Sequence, residues 1–203
     1  MAVTAISGKE LAEAVLPQDG AGLAVKRAVL VVLGIAALAG AAKVRVPLWP
    51  VPMTMQTFAV LSIGAAYGAR LGAATVIGYL LIGALGFDVF TSSTAENNGL
   101  AYMLGGTGGY LLGFVLAAAL LGALARRGWD RSALRMGGAF LAGEVAIYVP
   151  GLLWLGHLYA AENGWGWVLD VGLYPFLLGD ALKLALAALV LPLAWKAVGK
   201  ARA

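Results

Sequence analysis

The chain contains no cysteine and only one histidine, His157, in 203 residues. Disulfide bonds and thiol chemistry are therefore excluded, and so is a metal site built from several histidines. Charged residues are also scarce, because Asp, Glu, Lys and Arg make up 12% of the chain, against about 25% in an ordinary soluble domain. No polar stretch is long enough to build a large soluble domain.

Hydrophobic residues account for 62% of the sequence, and glycine is frequent at 29 residues. Abundant glycine is typical of helices that pack closely within lipid. We predict an all-α integral membrane protein that contacts membrane lipid. The net charge of +4 could suggest nucleic acid, but the positions of the basic residues explain it better, and we expect no nucleic-acid partner.

Six apolar segments predict six transmembrane helices in one bundle. They cover about residues 26–46, 55–70, 72–86, 104–125, 136–158 and 172–195. A span needs roughly 20 residues, and the second and third segments are shorter. They are divided only by Gly68-Ala-Arg-Leu-Gly72, so they form either a tight helical hairpin or one long segment, which would leave five spans.

The distribution of basic residues favours six spans. One side of the membrane then receives 11 of the 14 basic residues, the other receives Lys43 and Arg45, and Lys183 is intramembrane. The 11 are Lys9, Lys26, Arg27, Arg70, Arg126, Arg127, Arg131, Arg135, Lys196, Lys200 and Arg202. Because basic residues concentrate on the cytoplasmic side, we predict cytoplasmic N and C termini.

This topology divides the chain into three parts. Residues 1–25 are predicted to be a cytoplasmic N-terminal tail or surface helix, residues 26–198 a transmembrane substrate-binding domain, and residues 199–203 a C-terminal tail. Within the first part, residues 5–16 form either a short amphipathic helix or part of a mobile tail. That part has no compact apolar stretch followed by a cleavage site, so we expect no secretory signal.

Asp180 and Lys183, in the last apolar segment, are the strongest functional signal. A charge at the depth of the hydrocarbon costs at least about 2.5–3.5 kcal/mol, and residues three apart share one helix face. Counted from residue 172, the two side chains lie about 12 and 16 Å from the outer end of the helix. We expect them to pair with each other or to hold a polar solute captured from outside.

The fifth segment adds Glu144, which could pair with Lys183, contact a solute, or stay protonated and bond to a neighbouring helix. Tyr148 lies one turn further on the same face. Pro150 and Gly151 are predicted to kink this helix.

Three outer loops carry aromatic residues, which either anchor the protein at the interface or cover a cavity. They are loop 1 (46–56), loop 3 (87–99) and loop 5 (159–167). The polar candidates for solute contact are Gln56 in loop 1 and Asn97 and Asn98 in loop 3. The run Gly105-Gly-Thr-Gly-Gly-Tyr110 lacks the Gly-Lys-Ser/Thr ending of a nucleotide-binding loop, so it indicates close approach of backbone to a ligand or helix.

Small residues four apart in the first segment permit close helix contact. They are Ala36, Ala37, Gly40 and Ala41. They pack either inside this bundle or against a membrane partner.

Three motifs together resemble the BioY family, the biotin-binding S components of energy-coupling-factor (ECF) transporters. They are Val51-Pro-Met-Thr-Met-Gln-Thr-Phe58, Leu104-Gly-Gly-Thr-Gly-Gly-Tyr-Leu-Leu-Gly-Phe114 and Gly179-Asp-Ala-Leu-Lys183. The resemblance runs from about residue 26 to 198 and leaves the N-terminal 25 residues outside.

The resemblance implies a six-helix bundle that binds biotin from the extracytoplasmic side of a bacterial inner membrane. It implies contacts to biotin from Asp180 and Lys183, loops 1 and 3 closing the pocket, and a small helix face docking a transmembrane coupling (T) subunit beside two ATPase subunits. A loop 3 contact would come from Asn97 or Asn98. Trp49, Tyr110 and Tyr148 could cover the sulfur ring.

We expect no catalytic residues, cofactor or metal. The alternative function is a stand-alone ion-coupled carrier of a small solute, with Asp180 as the proton relay. A small membrane-embedded enzyme using Asp180, Glu144 and His157 would need a cluster of metal-binding residues that the sequence lacks.

Overall fold

The computed structural model describes residues 10–15, 22–46, 53–94 and 96–201. Its helices are α1 Leu11–Val15, α2 Gly22–Lys43, α3 Gln56–Ala84, α4 Gly99–Leu104, α5 Gly108–Arg126, α6 Ala133–Gly172 and α7 Leu177–Ala201. Two-residue strands, β1 Arg45–Val46 and β2 Met53–Thr54, pair antiparallel. Short 3₁₀ turns at Trp129–Arg131 and Tyr174–Phe176 precede α6 and α7.

Among the described residues, four stretches are long and apolar enough to cross a membrane: Gly22–Lys43, Gln56–Ala84, Gly108–Arg126 and Ala133–Val198. Two of these stretches cross more than once. The second contains the reversal of α3 described next, and the last contains both α6 and α7. The result is the predicted all-α bundle of six transmembrane helices.

The chain reverses within α3 at Gly68, where φ is +82° and ψ is 169°. A Cβ on Gly72 would lie 3.0 Å from the Cα of Gly64. Eight residues of straight helix would separate these positions by about 12 Å, so the two halves of α3 run back along each other. The tight hairpin is therefore confirmed over the single long segment.

A second reversal, in α6, was not predicted. Gly164 has φ +79° and ψ 162°, and a Cβ on Gly172 would lie 3.0 Å from Cδ2 of Leu152. The helix runs to this glycine and then folds back as a short return segment. Residues 159–167, predicted as an outer loop, are instead helical on both sides of Gly164. Pro150 lies inside this helix with helical backbone angles.

Glycines hold α3, α5 and α6 close together. A Cβ on Gly64 would clash with the backbone of Ala118, and one on Gly113 with the backbone of Ile147. Such close approach increases van der Waals contact between the helices. This contact matters in a membrane, because the hydrophobic effect does not drive helices together within lipid.

Of the two alternatives for residues 5–16, a short helix is observed at Leu11–Val15, and residues 5–9 and 16 lie outside the described part. Glu10 is buried, and its Oε1 lies 2.5 Å from Nη2 of Arg126 at the end of α5. This ion pair ties the N-terminal segment to the end of α5, and a Cβ on Gly68 in the turn of α3 would clash with the same Glu10 oxygen.

The α5–α6 turn is tied to α7 by Asp130. Its Oδ2 accepts a 2.5 Å hydrogen bond from Nε1 of Trp195, and the guanidinium of Arg131 lies 4.3 Å from the centre of the Trp195 ring. Asp130 is 1% exposed. Burial raises the pKa of its carboxyl to about 6, although Trp195 and Arg131 oppose this.

We predict that Asp130 makes the folded protein less stable as pH rises from about 4 to 6. The folded state holds this proton up to a higher pH than the unfolded state does, so deprotonation costs stability on the order of 3 kcal/mol across this window. Thermal unfolding in detergent between pH 4 and 7 should show a flatter profile for Asp130→Asn. The exposed Asp170→Asn is the control, and an unchanged slope in Asp130→Asn would refute the assignment.

Candidate functional site

A cavity of about 420 Å³ lies where the start of α3, loop 3, α5, α6 and α7 converge. Six of the residues predicted to bind solute line it: Gln56, Asn97, Tyr110, Tyr148, Asp180 and Lys183. Asn98 and Glu144 do not. Residues 47–52 of loop 1, including Trp49, lie outside the described part of the chain.

Asp180 and Lys183 form an ion pair in the cavity wall, with Nζ 3.0 Å from Oδ1. Both are buried, at 7% and 6% exposed. Lys183 Nζ also donates to Oγ1 of Thr57 at 2.9 Å, and the Tyr148 hydroxyl donates to Oδ2 of Asp180. The pair thus connects α3, α6 and α7 at a single point.

The pair lies closer to the end of its helix than predicted. Because the 3₁₀ turn Tyr174–Phe176 delays the start of α7 to Leu177, Asp180 falls in the first helical turn. That places it about 5 Å along the helix, where the positive end of the helix dipole stabilises a carboxylate.

Loop 3 is anchored by Gln56, whose amide is engaged within the protein. Its Nε2 donates to the hydroxyl of Tyr79 at 2.7 Å, and its Oε1 accepts from Oγ1 of Thr91 at 3.1 Å. Tyr79 in turn donates to the carbonyl of Val89 at 2.8 Å. Gln56 is therefore placed to position loop 3 over the cavity.

An aromatic cluster reinforces this arrangement. The Phe90 ring stacks on Tyr102 at 4.8 Å between centroids and meets Tyr79 edge-on at 5.5 Å. The Tyr102 hydroxyl donates to the carbonyl of Thr91 at 2.7 Å. At the outer edge, Lys43 pairs with Asp88 at 2.7 Å. Loop 3 is thus held by α2, α3 and α4 together.

The two asparagines of loop 3 occupy different positions. Asn97 lines the cavity, whereas Asn98 is the residue immediately before α4. On the opposite wall, Tyr110 packs edge-on against Tyr148 at 6.1 Å and donates to the carbonyl of Gly172 at 2.8 Å. This bond fastens the return segment of α6 to α5.

Glu144 is 5% exposed, and neither carboxylate oxygen has a hydrogen-bond partner among the described residues. The suggested pairing with Lys183 does not form, because the Lys183 ammonium contacts Asp180 and Thr57. Across the described residues, no three His, Asp or Glu side chains converge where they could bind a metal ion.

Thr57 was missed by the sequence interpretation, although it follows Gln56 directly in one of the three motifs. Thr91 and Tyr102 were missed as well. Thr57 could have been predicted, because the ammonium of a buried lysine such as Lys183 needs hydrogen-bond acceptors, and a threonine hydroxyl is one. The other two depend on the path of loop 3, which residue pattern does not encode.

On α2, Ala36, Ala37 and Gly40 are exposed, and Ala41 is partly buried. A Cβ added at Gly40 would meet nothing within 4 Å. Ala36, Ala37 and Gly40 are therefore not used for packing inside this bundle.

Comparison with known proteins gives a consistent result. The sequence matches the BioY family over residues 12–200, so the match begins inside the N-terminal segment that we expected to lie outside it. It is 33% identical over 165 residues to the "Probable biotin transporter BioY" of Pyrococcus horikoshii, covering 81% of this chain and 93% of the relative. It is 35% identical over 147 residues to the "Biotin transporter BioY" of Thermotoga maritima, covering 72% and 82%.

A solved structure of an S component for biotin from an ECF-type ABC transporter shares the fold. Its TM-score is 0.73 at 22% identity, with 88% of this chain and 95% of that one covered. The family match spans nearly the whole chain and agrees with the three motifs and the six-helix bundle. This chain belongs to the BioY family.

Proposed function

We propose that this protein is the membrane-embedded, high-affinity biotin-binding subunit of an ECF-type vitamin uptake transporter. The observation that carries the proposal is the buried Asp180–Lys183 pair in the wall of the cavity. The cavity volume of about 420 Å³ falls in the range of small-molecule sites, roughly 300–1,000 Å³. The curated relatives are named as biotin transporters, which supports biotin as the ligand.

The chemistry of the pair suits biotin. The ureido ring of biotin offers two N–H donors and a carbonyl acceptor, and its valerate chain ends in a carboxylate. Asp180 can accept from a ureido N–H, and Lys183 can donate to the carbonyl or the carboxylate. Asn97 can both donate and accept, and the tyrosines at 110 and 148 supply aromatic surface for the apolar ring.

Capture from the extracytoplasmic side of a bacterial inner membrane is supported by charge. The cavity lies at the end of α7 where the helix begins, and the basic residues Arg126, Arg127 and Arg131 lie at the opposite end of α5. Since basic residues favour the cytoplasm, the cavity would face outward, with both termini inside. The substrate-binding domain would then be residues 26–198, as predicted.

The partners are a transmembrane T subunit and two ATPase subunits. The exposed small face at Ala36, Ala37 and Gly40 supports docking, because small residues let a partner helix approach closely in lipid. Ala41 borders this face.

The protein would act in transport and would not be an enzyme. The curated relatives, which are named as biotin transporters, support this. The stand-alone carrier is not favoured, since the solved structure that shares this fold is an S component of a larger transporter. Both oxygens of the Asp180 carboxylate accept hydrogen bonds within the protein, from Lys183 and Tyr148.

We predict that Asp180→Asn and Lys183→Ala each weaken biotin binding at least about tenfold. Each removes a charge-assisted hydrogen bond of roughly 1.5–3 kcal/mol. Calorimetric titration of biotin into the detergent-purified protein measures this. The exposed Glu162→Gln should bind like wild type, and unchanged affinity in both site variants would remove the site assignment.

We also predict that Gly40→Trp abolishes assembly with the T and ATPase subunits but leaves biotin affinity unchanged. The bulky ring would block close helix approach on an exposed face whose residues do not line the cavity. Co-purification of co-expressed subunits is the measurement, and Leu116→Trp, on the exposed side of α5, is the control. Normal assembly of Gly40→Trp would show that the partner docks elsewhere.

A further inference from the structure

A second cavity, of about 720 Å³, lies at the opposite end of the bundle from Asp180. It is bounded by α1, the beginning of α2, the turn of α3 and the end of α5. None of its lining residues belongs to the proposed biotin site.

One wall of this cavity is acidic. Glu10 and Glu13 share a single guanidinium, since Arg126 Nη2 lies 2.5 Å from Oε1 of Glu10 and 3.6 Å from Oε1 of Glu13. The second oxygen of Glu10 is buried without a hydrogen-bond partner among the described residues. Burial, followed by the hydrogen bond and negative charge of Glu10, raises the pKa of Glu13. With two carboxylates around one guanidinium, this wall carries one more acidic than basic side chain.

The facing wall is basic. Arg27 from α2 and Arg70 from the turn of α3 both line the cavity and are exposed. Neither forms an ion pair with an acidic side chain in the part of the chain that the structure describes. Guanidinium groups of this kind bind phosphate through paired N–H donors.

The remaining walls are apolar and continue onto the lipid-facing surface. Leu23 and Leu30 line the cavity from α2, and Leu71 and Ala74 from the second half of α3. Beside them, α2 exposes Val25, Val29 and Val32, which in a membrane protein contact acyl chains.

We propose that this cavity binds the headgroup of a phospholipid with a primary amine, of the phosphatidylethanolamine class. The phosphate lies against Arg27 and Arg70, the ammonium lies against Glu13 with the Glu10 charge behind it, and the acyl chains follow the leucines of α2 and α3. A purely anionic lipid would bring no cation to the two carboxylates. A choline headgroup has no N–H to donate to them.

This site shares no lining residue with the other cavity. A lipid bound here would join α1, α2 and α3 at the end of the bundle where α1 is otherwise fixed by the Glu10–Arg126 pair.

Native mass spectrometry tests the proposal. The delipidated full-length protein is mixed with equal amounts of dioleoyl-phosphatidylethanolamine, dioleoyl-phosphatidylcholine and dioleoyl-phosphatidylglycerol. We expect one phosphatidylethanolamine to be retained over each of the others by at least about tenfold, the effect of a single charge-assisted hydrogen bond.

Three variants separate the contacts. Glu13→Gln should bring phosphatidylethanolamine and phosphatidylcholine to nearly equal retention, and Arg27→Gln and Arg70→Gln should lower retention of all three lipids. Arg135→Gln, exposed at the same end but away from the cavity, should behave like wild type. Equal retention of the amine and choline lipids by wild type, stronger retention of phosphatidylglycerol, or an unchanged preference in Glu13→Gln would each overturn the proposal.

Discussion

The buried ion pair between Asp180 and Lys183 is the contact on which the binding cavity depends. Breaking a buried pair by removing one partner costs about 3–5 kcal/mol, because the other charge is left without compensation. Here Lys183 also donates a hydrogen bond to the Thr57 hydroxyl, and Asp180 accepts one from the Tyr148 hydroxyl. The pair therefore orients side chains from three helices. An occupant that replaces any of these contacts must offer donors and acceptors in matching places, which rejects solutes lacking them.

Around this pair, the fold supplies a frame of closely packed helices. Two glycine reversals, at Gly68 and Gly164, fold long apolar stretches back on themselves. The first brings Gln56 and Thr57 to the same end of the bundle as loop 3, where Gln56 fixes Thr91. The second returns the chain to Tyr110 through Gly172, which closes one side of the cavity before α7 begins.

The helices and the buried charged pair could be predicted from the sequence. Exposing a charge or an unpaired backbone group to lipid is so costly that few arrangements of the chain are possible. The apolar segments predict the helices, and the charged pair three residues apart predicts a shared buried face. Hydropathy alone left the hairpin at Gly68 as one of two alternatives, because it does not report backbone reversal, and the distribution of basic residues favoured the hairpin. Gly164 was missed because its surroundings, rich in Trp, Gly and Asn, read as a loop while the chain stays helical on both sides.

The polar contacts were less predictable than the helices. Asn97 and Asn98 are chemically equivalent neighbours, and only the path of loop 3 places Asn97 at the cavity. Gln56 was expected to contact solute; it lines the cavity, and its amide also holds Tyr79 and Thr91. Such roles depend on how side chains from distant segments meet, which a single sequence does not specify.

The most direct test is biotin titration of the double variant Asp180→Asn/Lys183→Met, with its thermal unfolding recorded on the same sample. Replacing both charges removes the penalty of an unpaired one, so the variant should unfold near the wild-type temperature. It should nevertheless bind biotin at least about 100-fold more weakly, because two charge-assisted hydrogen bonds are lost. A folded double variant with wild-type affinity would show that the pair only holds the helices together.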